Sequence, residues 1–200
     1  MKLSPGSVVT IPDISWQELE QVLQELGENR ATRITYSQGT LEIMVPLPEH
    51  EIPIDLLSDL VKILLKRSGR PYQPFGSTTF RQENLAGVEP DACFYIKNYQ
   101  QMIGHRQLQP DDPPPDLVIE IDVTSKTRLD AYQAIAVPEL WVYHQGQLTI
   151  YLLQEQGYET ASTSPTFPQI PLLEIVPKVI ARAWEVGSFQ ALAEFENSLA

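Results

Sequence analysis

Residues 115–123 read Pro115-Asp116-Leu117-Val118-Ile119-Glu120-Ile121-Asp122-Val123, and this stretch decides the architecture. Four residues of high β propensity or bulk alternate with acids in a run too short for a helix of this pattern, so the reading is a strand. Side chains of a strand point alternately to its two faces. Leu117, Ile119, Ile121 and Val123 therefore share one face, and Asp116, Val118, Glu120 and Asp122 share the other. The first face is a core stripe. The second carries three carboxylates, and adjacent residues of one face lie roughly 6.5–7 Å apart along the strand. Such close like charges repel unless a cation sits among them. Two readings stay open: a half-exposed strand whose polar face meets water, or oxygen ligands for a hard cation, most simply magnesium.

Upstream, Glu89-Pro90 leads into a second strand, Asp91-Ala92-Cys93-Phe94-Tyr95-Ile96. If the two strands pair, Asp91 and Glu120 converge on one ion. Downstream, Lys126 and Arg128 follow the acidic strand closely. Either could hold a water or offset charge on a phosphate, and either could equally be a helix-start residue facing solvent. Thr124 and Ser125 suit helix N-caps. His50 reads as a surface residue, and His105 and His144 carry no partner signal.

The rest of the chain alternates helices and strands. A first helix is expected over Ser15–Leu26, with Ser15 and Glu18 as a capping box, Leu19, Val22, Leu23 and Leu26 on one face and Gly27 as its stop. A hairpin, Arg33–Tyr36 with Leu41–Val45, turns at Gln38-Gly39. A second helix is expected from Pro53 to Arg67, then short strands at Tyr72–Phe75 and Ser77–Arg81. A short helix follows at Lys126–Ala136, a strand pair Leu140–His144 with Leu148–Leu153 across Gln145-Gly146, and a C-terminal helix Phe189–Leu199 capped by Ser188. Interleaved helices and strands argue for one α/β domain over residues 1–200, a sandwich around a central mixed sheet.

Composition narrows the function. The 200 residues carry a formal charge of −12, with a pI of about 4.6. Such a surface repels phosphate backbones, which argues against a broad DNA-coating role. Metal-binding carboxylates can account for part of the surplus. Cys93 is the one cysteine, so internal disulfides and cysteine zinc sites are excluded. No apolar run reaches the ~18 residues of a membrane span, and the N-terminal residues do not read as a secretory signal. A cytoplasmic location is the default expectation. Phosphate-cradling glycine loops, dinucleotide fingerprints and Gly-x-Ser-x-Gly elbows are absent from the sequence.

Glu89-Pro90-Asp91-Ala92-Cys93-Phe94-Tyr95-Ile96, Pro115–Ser125, Ala131-Tyr132 and Val137-Pro138-Glu139-Leu140-Trp141-Val142-Tyr143 together resemble the Uma-type family of restriction-endonuclease-like proteins. Pro46-Leu47-Pro48-Glu49-His50 ahead of a helix is similar to the family's pattern as well. The resemblance runs from the first hairpin to the Trp141 strand. It implies the PD-(D/E)XK nuclease superfamily: a restriction endonuclease-like fold, a central mixed sheet flanked by helices, and magnesium-dependent hydrolysis of phosphodiester bonds in nucleic acid, DNA being the expected substrate. Manganese is the expected substitute ion. Carried over by position, Asp91 and Glu120 would ligate metal, the Ile121 carbonyl could add an oxygen, and Lys126 would be the catalytic cation, with Arg128 second. The superfamily's lysine would stand at position 122. Asp122 occupies it here and is expected as a third metal ligand. That departure keeps an alternative alive, a non-catalytic nucleic-acid-binding or assembly module descended from the nuclease fold. Superfamily members often pair, so a homodimer is an expectation. Phe189, Leu192, Phe195 and Leu199 on the last helix could serve it, although packing on the chain's own sheet is the simpler use of that face.

Overall fold

A computed structural model describes residues 4–27, 32–76, 78–109, 111–123 and 126–199. The elements run β1 (Val8–Ile11), α1 (Trp16–Leu26), β2 (Arg33–Ser37), β3 (Thr40–Met44), α2 (Pro48–Arg67), β4 (Gln73–Phe75), β5 (Phe80–Gln82), β6 (Ala86–Val88) and β7 (Ala92–Tyr95). Then follow β8 (Leu117–Asp122), α3 (Leu129–Ala134), β9 (Glu139–His144), β10 (Gln147–Gln154), β11 (Gly157–Ala161), α4 (Leu172–Val186) and α5 (Ser188–Ser198). No helix among the described residues is long and apolar enough to cross a membrane.

The strands form two sheets. A six-stranded sheet has the order β11-β10-β9-β8-β7-β4, and a five-stranded sheet has the order β1-β3-β2-β6-β5. The larger is the mixed sheet that the sequence predicts: β8 runs parallel to β9, and its other pairs are antiparallel. The expected hairpin is there, but it belongs to the second sheet, which is antiparallel throughout. Gln38 and Gly39 both take positive φ, 49° and 77°. That is the turn whose twist matches a two-residue hairpin. Gln145 and Gly146 repeat it, at 47° and 79°, between β9 and β10.

The apolar stripe of β8 does what its pattern requires. Leu117, Ile119 and Ile121 join Phe94 and Trp141 in a core shared with α2, α4 and α5. Each fully buried aliphatic side chain there is worth about 1.5–3 kcal/mol of transfer free energy. Val118, on the opposite face, joins Cys93, Tyr95, Val88 and Tyr132 in a second core beneath β6 and α3. The large sheet thus has helices on one face and the small sheet with α3 on the other. A third cluster fastens α1 to the hairpin through Leu19, Leu23, Ile34, Tyr36 and Leu41. Helix α1 starts as expected: the Ser15 amide donates to Glu18 Oε2 (2.8 Å) and the Glu18 amide to Ser15 Oγ (3.3 Å).

Several boundaries differ from expectation. Helix α2 begins at Pro48, and Pro53 lies inside it. Pro48 takes the first turn, where a missing N–H costs nothing, so five further residues, His50 among them, become helical. Helix α3 begins at Leu129 rather than Lys126, with Arg128 in extended backbone as its N-cap. Gly187, not Ser188, caps α5, with no side-chain hydrogen bond. Helix α5 uses Ala191 and Phe195 for the core, with Leu192 and Leu199 packed against it, while Phe189 is exposed. Val123 lies past the end of β8 and is exposed. The calls at Ser77, Thr124 and Ser125 fall outside the described residues.

Candidate active site

Strands β7 and β8 pair in the register Ala92↔Ile119, Cys93↔Val118 and Phe94↔Leu117. One step further along the same register sets Asp91 opposite Glu120. Directly opposed residues point to the same face, with Cβ atoms about 4.5–5.5 Å apart. The Ile121 amide donates to Asp91 Oδ2 (2.9 Å). The Asp91 charge bears directly on the Glu120 carboxyl. The structure thus brings Asp91 and Glu120 together at the end of the β7–β8 ladder.

They form the floor of a small cleft of about 30 Å³ between the two sheets. Its opposite wall is the polar face of the hairpin, Arg33, Thr35, Glu42 and Met44. Asp122, Lys126, Thr127 and Arg128 border it where β8 leads toward α3. Lys126 is exposed within this border. Arg128 is held by Asp130 through two bonds, Nε to Oδ1 (3.1 Å) and Nη2 to Oδ2 (2.9 Å), with Glu42 at 3.9 Å.

Each acid has its own holders. Nε2 of His50 donates to Asp91 Oδ2 (2.9 Å), and Arg33 Nε stands 3.7 Å from Asp91 Oδ1. The buried Tyr132 hydroxyl donates to Glu120 Oε1. Burial drives the Glu120 carboxyl well above the ordinary range, and the Asp91 charge adds to it, although Tyr132 pulls the other way. Asp122 is also raised, first by burial, while Thr127 opposes the shift by donating from its amide (3.0 Å) and hydroxyl (2.6 Å) to Asp122 Oδ1. Burial lowers the His50 imidazolium's stability, but Asp91 and Glu51 together outweigh it and leave the pKa raised.

Two expectations are corrected here. His50 is 2% exposed, not a surface residue; the early start of α2 turns it inward onto Asp91. Asp116 shares the strand but not the cleft. It accepts from the Ile96 (2.7 Å) and Lys97 (2.9 Å) amides at the far end of β7 and β8. The sequence reading also missed Arg33, Glu89 and Tyr132. Glu89, 6% exposed, accepts from the Ile34 amide (3.1 Å) and the Thr79 hydroxyl (2.6 Å), tying the cleft floor to the hairpin. Alternation along Arg33-Ile34-Thr35-Tyr36 places Arg33 on the polar face, but only the sheet packing shows what that face meets.

The donor set fits a hard divalent ion of the magnesium type, which binds through one or two carboxylates and keeps several waters. Two carboxylates opposed across one ladder, Asp91 buried and Glu120 half-buried, call for positive charge between them. Among the described residues no three or more His, Cys, Asp or Glu side chains form a metal cage. The fit is to an open two-carboxylate site.

The crystal structure of an Anabaena variabilis protein, titled a "putative nuclease belonging to DUF820", superposes with a TM-score of 0.50 at 16% identity, over 78% of this chain and 91% of that one. That likeness establishes a restriction endonuclease-like fold. No curated protein matches the chain. Residues 16–185 match the sequence pattern of Uma2, described as "Putative restriction endonuclease". The chain belongs to the Uma2 family.

Proposed function

We propose that this protein is a metal-dependent nuclease that hydrolyses phosphodiester bonds of nucleic acid, DNA being the substrate class. One observation carries the reading: Asp91 and Glu120 stand side by side in a cleft that also presents Arg33, Lys126 and Arg128. Asp91 and Glu120 would hold Mg2+, or Mn2+ in its place, and Asp122, which lines the same cleft, could add an oxygen only by moving toward them. When bound, the ion would polarise a phosphate oxygen and lower the pKa of a coordinated water.

The chain's own groups do the rest. His50 and the Ile121 amide fix one oxygen of Asp91, and Tyr132 fixes one oxygen of Glu120. Preorganised ligands of this kind need no rearrangement during reaction. Asp122 holds Thr127, the residue next to Lys126. Lys126, exposed at the cleft, would orient the attacking water or offset charge on the phosphate. Arg128 stays protonated and contributes charge only. Cutting both strands of a duplex takes two such clefts, so a homodimer belongs to the same proposal.

The test is cleavage of supercoiled plasmid and of single-stranded oligonucleotides with Mg2+ or Mn2+. Asp91→Ala and Glu120→Ala should each reduce cleavage by about a hundredfold or more. Unchanged cleavage in both variants refutes the assignment. A second reading, a nucleic-acid-binding or assembly module without turnover, draws on Asp122 standing in the lysine position. A native chain that binds no manganese at millimolar concentration and cuts nothing favours that reading.

A further inference from the structure

Three cations and five acids line the cleft. A phosphodiester brings one more negative charge into it, so the position of each cation matters. Arg128 is already engaged by Asp130 in a two-bond pair, with Glu42 nearby. Lys126 is exposed. Arg33 differs from both. It alternates with Ile34 and Tyr36, which are buried against α1 at 1% and 5% exposure. Its side chain therefore leaves the opposite face of the hairpin, over the acid pair. Its Nε is buried and has no hydrogen-bond partner among the described residues. Asp91 Oδ1 is 3.7 Å away, close enough for attraction and too far for a hydrogen bond. A buried donor without an acceptor is costly, and here it faces a cleft open to ligands.

We propose that Arg33 is the residue that grips the scissile phosphate, supplying from the hairpin sheet the positive charge that β8 lacks at Asp122. The assignment rests on the nuclease reading and names a contact within it. A guanidinium presents a planar fork of donors that matches two phosphate oxygens at once, and it keeps its charge at any working pH. Delivery from the second sheet also explains why the hairpin is laid against the acid strand. Substrate would be held between two walls, acids on one and Arg33 on the other.

Arg33→Gln and Arg33→Lys test this with two readouts besides activity. Isothermal titration with Mn2+ alone reports the acid pair. Fluorescence anisotropy with a labelled oligodeoxynucleotide in Ca2+ reports phosphate binding. The Gln variant should bind the oligonucleotide about tenfold or more weaker, the loss expected for a charged hydrogen bond. Its Mn2+ affinity should hold or tighten, because a competing cation beside Asp91 has gone. The Lys variant should recover part of the oligonucleotide affinity through charge alone. Unchanged oligonucleotide affinity in Arg33→Gln overturns the assignment, even if the native chain cleaves and the nuclease reading stands. A fall in Mn2+ affinity matching the loss of oligonucleotide binding also overturns it, since Arg33 would then only be positioning Asp91. If the native chain binds oligonucleotide without cutting it and Arg33→Gln loses that binding, the phosphate contact is upheld and the hydrolytic reading fails. A native chain that binds no oligonucleotide defeats both.

Discussion

Glu120→Gln should make the metal-free protein more stable. Asp91 and Glu120 stand opposite one another at the end of the β7–β8 ladder and both line the cleft. Two full charges about 4 Å apart repel by about 4 kcal/mol at an effective dielectric constant of about 20. Arg33 at 3.7 Å and His50 at 2.9 Å draw on Asp91 and offset part of this. The net relief on neutralising one acid is then about 1–3 kcal/mol, in the range seen when buried charges are replaced. For a chain of this size that is a rise of about 2–12 °C in Tm. Gln keeps an oxygen for the Tyr132 hydroxyl and gains N–H groups for Asp91. The pH dependence has a definite sign. Glu120 has a folded-state pKa above its ordinary 4.5, so the folded state binds the proton more tightly than the unfolded one. Native stability therefore falls as pH rises from about 4.5 through the raised value, and the advantage of Glu120→Gln grows over the same interval. Metal acts in the opposite direction. Manganese at a hundred times its Kd should stabilise the native chain by about 2.7 kcal/mol and leave the variant nearly unmoved. Differential scanning fluorimetry in EDTA and in MnCl2, from pH 5 to 8, reads all of this. A variant that melts below the native chain in EDTA, or an equal rise in both on adding manganese, refutes the reasoning.

Tyr132→Phe removes the hydroxyl that donates to Glu120; a loss of about 1–3 kcal/mol in urea denaturation is expected, and Mn2+ binding should move to higher pH because Glu120 gives up its proton less readily. Glu139→Ala should cost at least about 3 kcal/mol by the same assay. Glu139 is 3% exposed and accepts from Trp141 Nε1 (2.7 Å), Ser164 Oγ (2.5 Å), the Thr166 amide (3.2 Å) and Thr166 Oγ1 (2.6 Å). Its Mn2+ affinity should be unchanged, since Glu139 sits at the end of β9 remote from Asp122↔His144.

Local signals carried much of this structure. The Ser15–Glu18 box, the Gln38-Gly39 turn and the alternation in β8 are each settled by a few neighbouring residues, and the structure has all of them. The pairing of Asp91 with Glu120 needed only that β7 and β8 be neighbours. Elements whose local signals are weak or misleading were not legible. Strand β6 has three residues, one of them Gly87. Helix α4 follows Pro171 and contains Pro177, so its prolines read as breaks, whereas buried Leu172, Val176 and Ile180 hold it to the core. The division into two sheets depends on pairs distant in sequence, such as Thr35↔Val88. His50 and Arg33 were obscured for the same reason: an ordinary sequence neighbourhood, with the decisive partner, Asp91, 41 residues from His50.

Asp116 clamps the amides of Ile96 and Lys97 at the opposite extremity of the β7–β8 pair from the acids. The excursion between these strands, residues 97–115, is therefore closed off at its own base. Within it Met102 is fully buried in the core that also holds Val118 and Tyr132, so the excursion is anchored to the protein midway along as well as at its base. Redesign confined to its exposed residues, such as Ile103, with Asp116 and Met102 kept, would leave both anchors of the excursion in place, at the opposite end of the strand pair from Asp91 and Glu120.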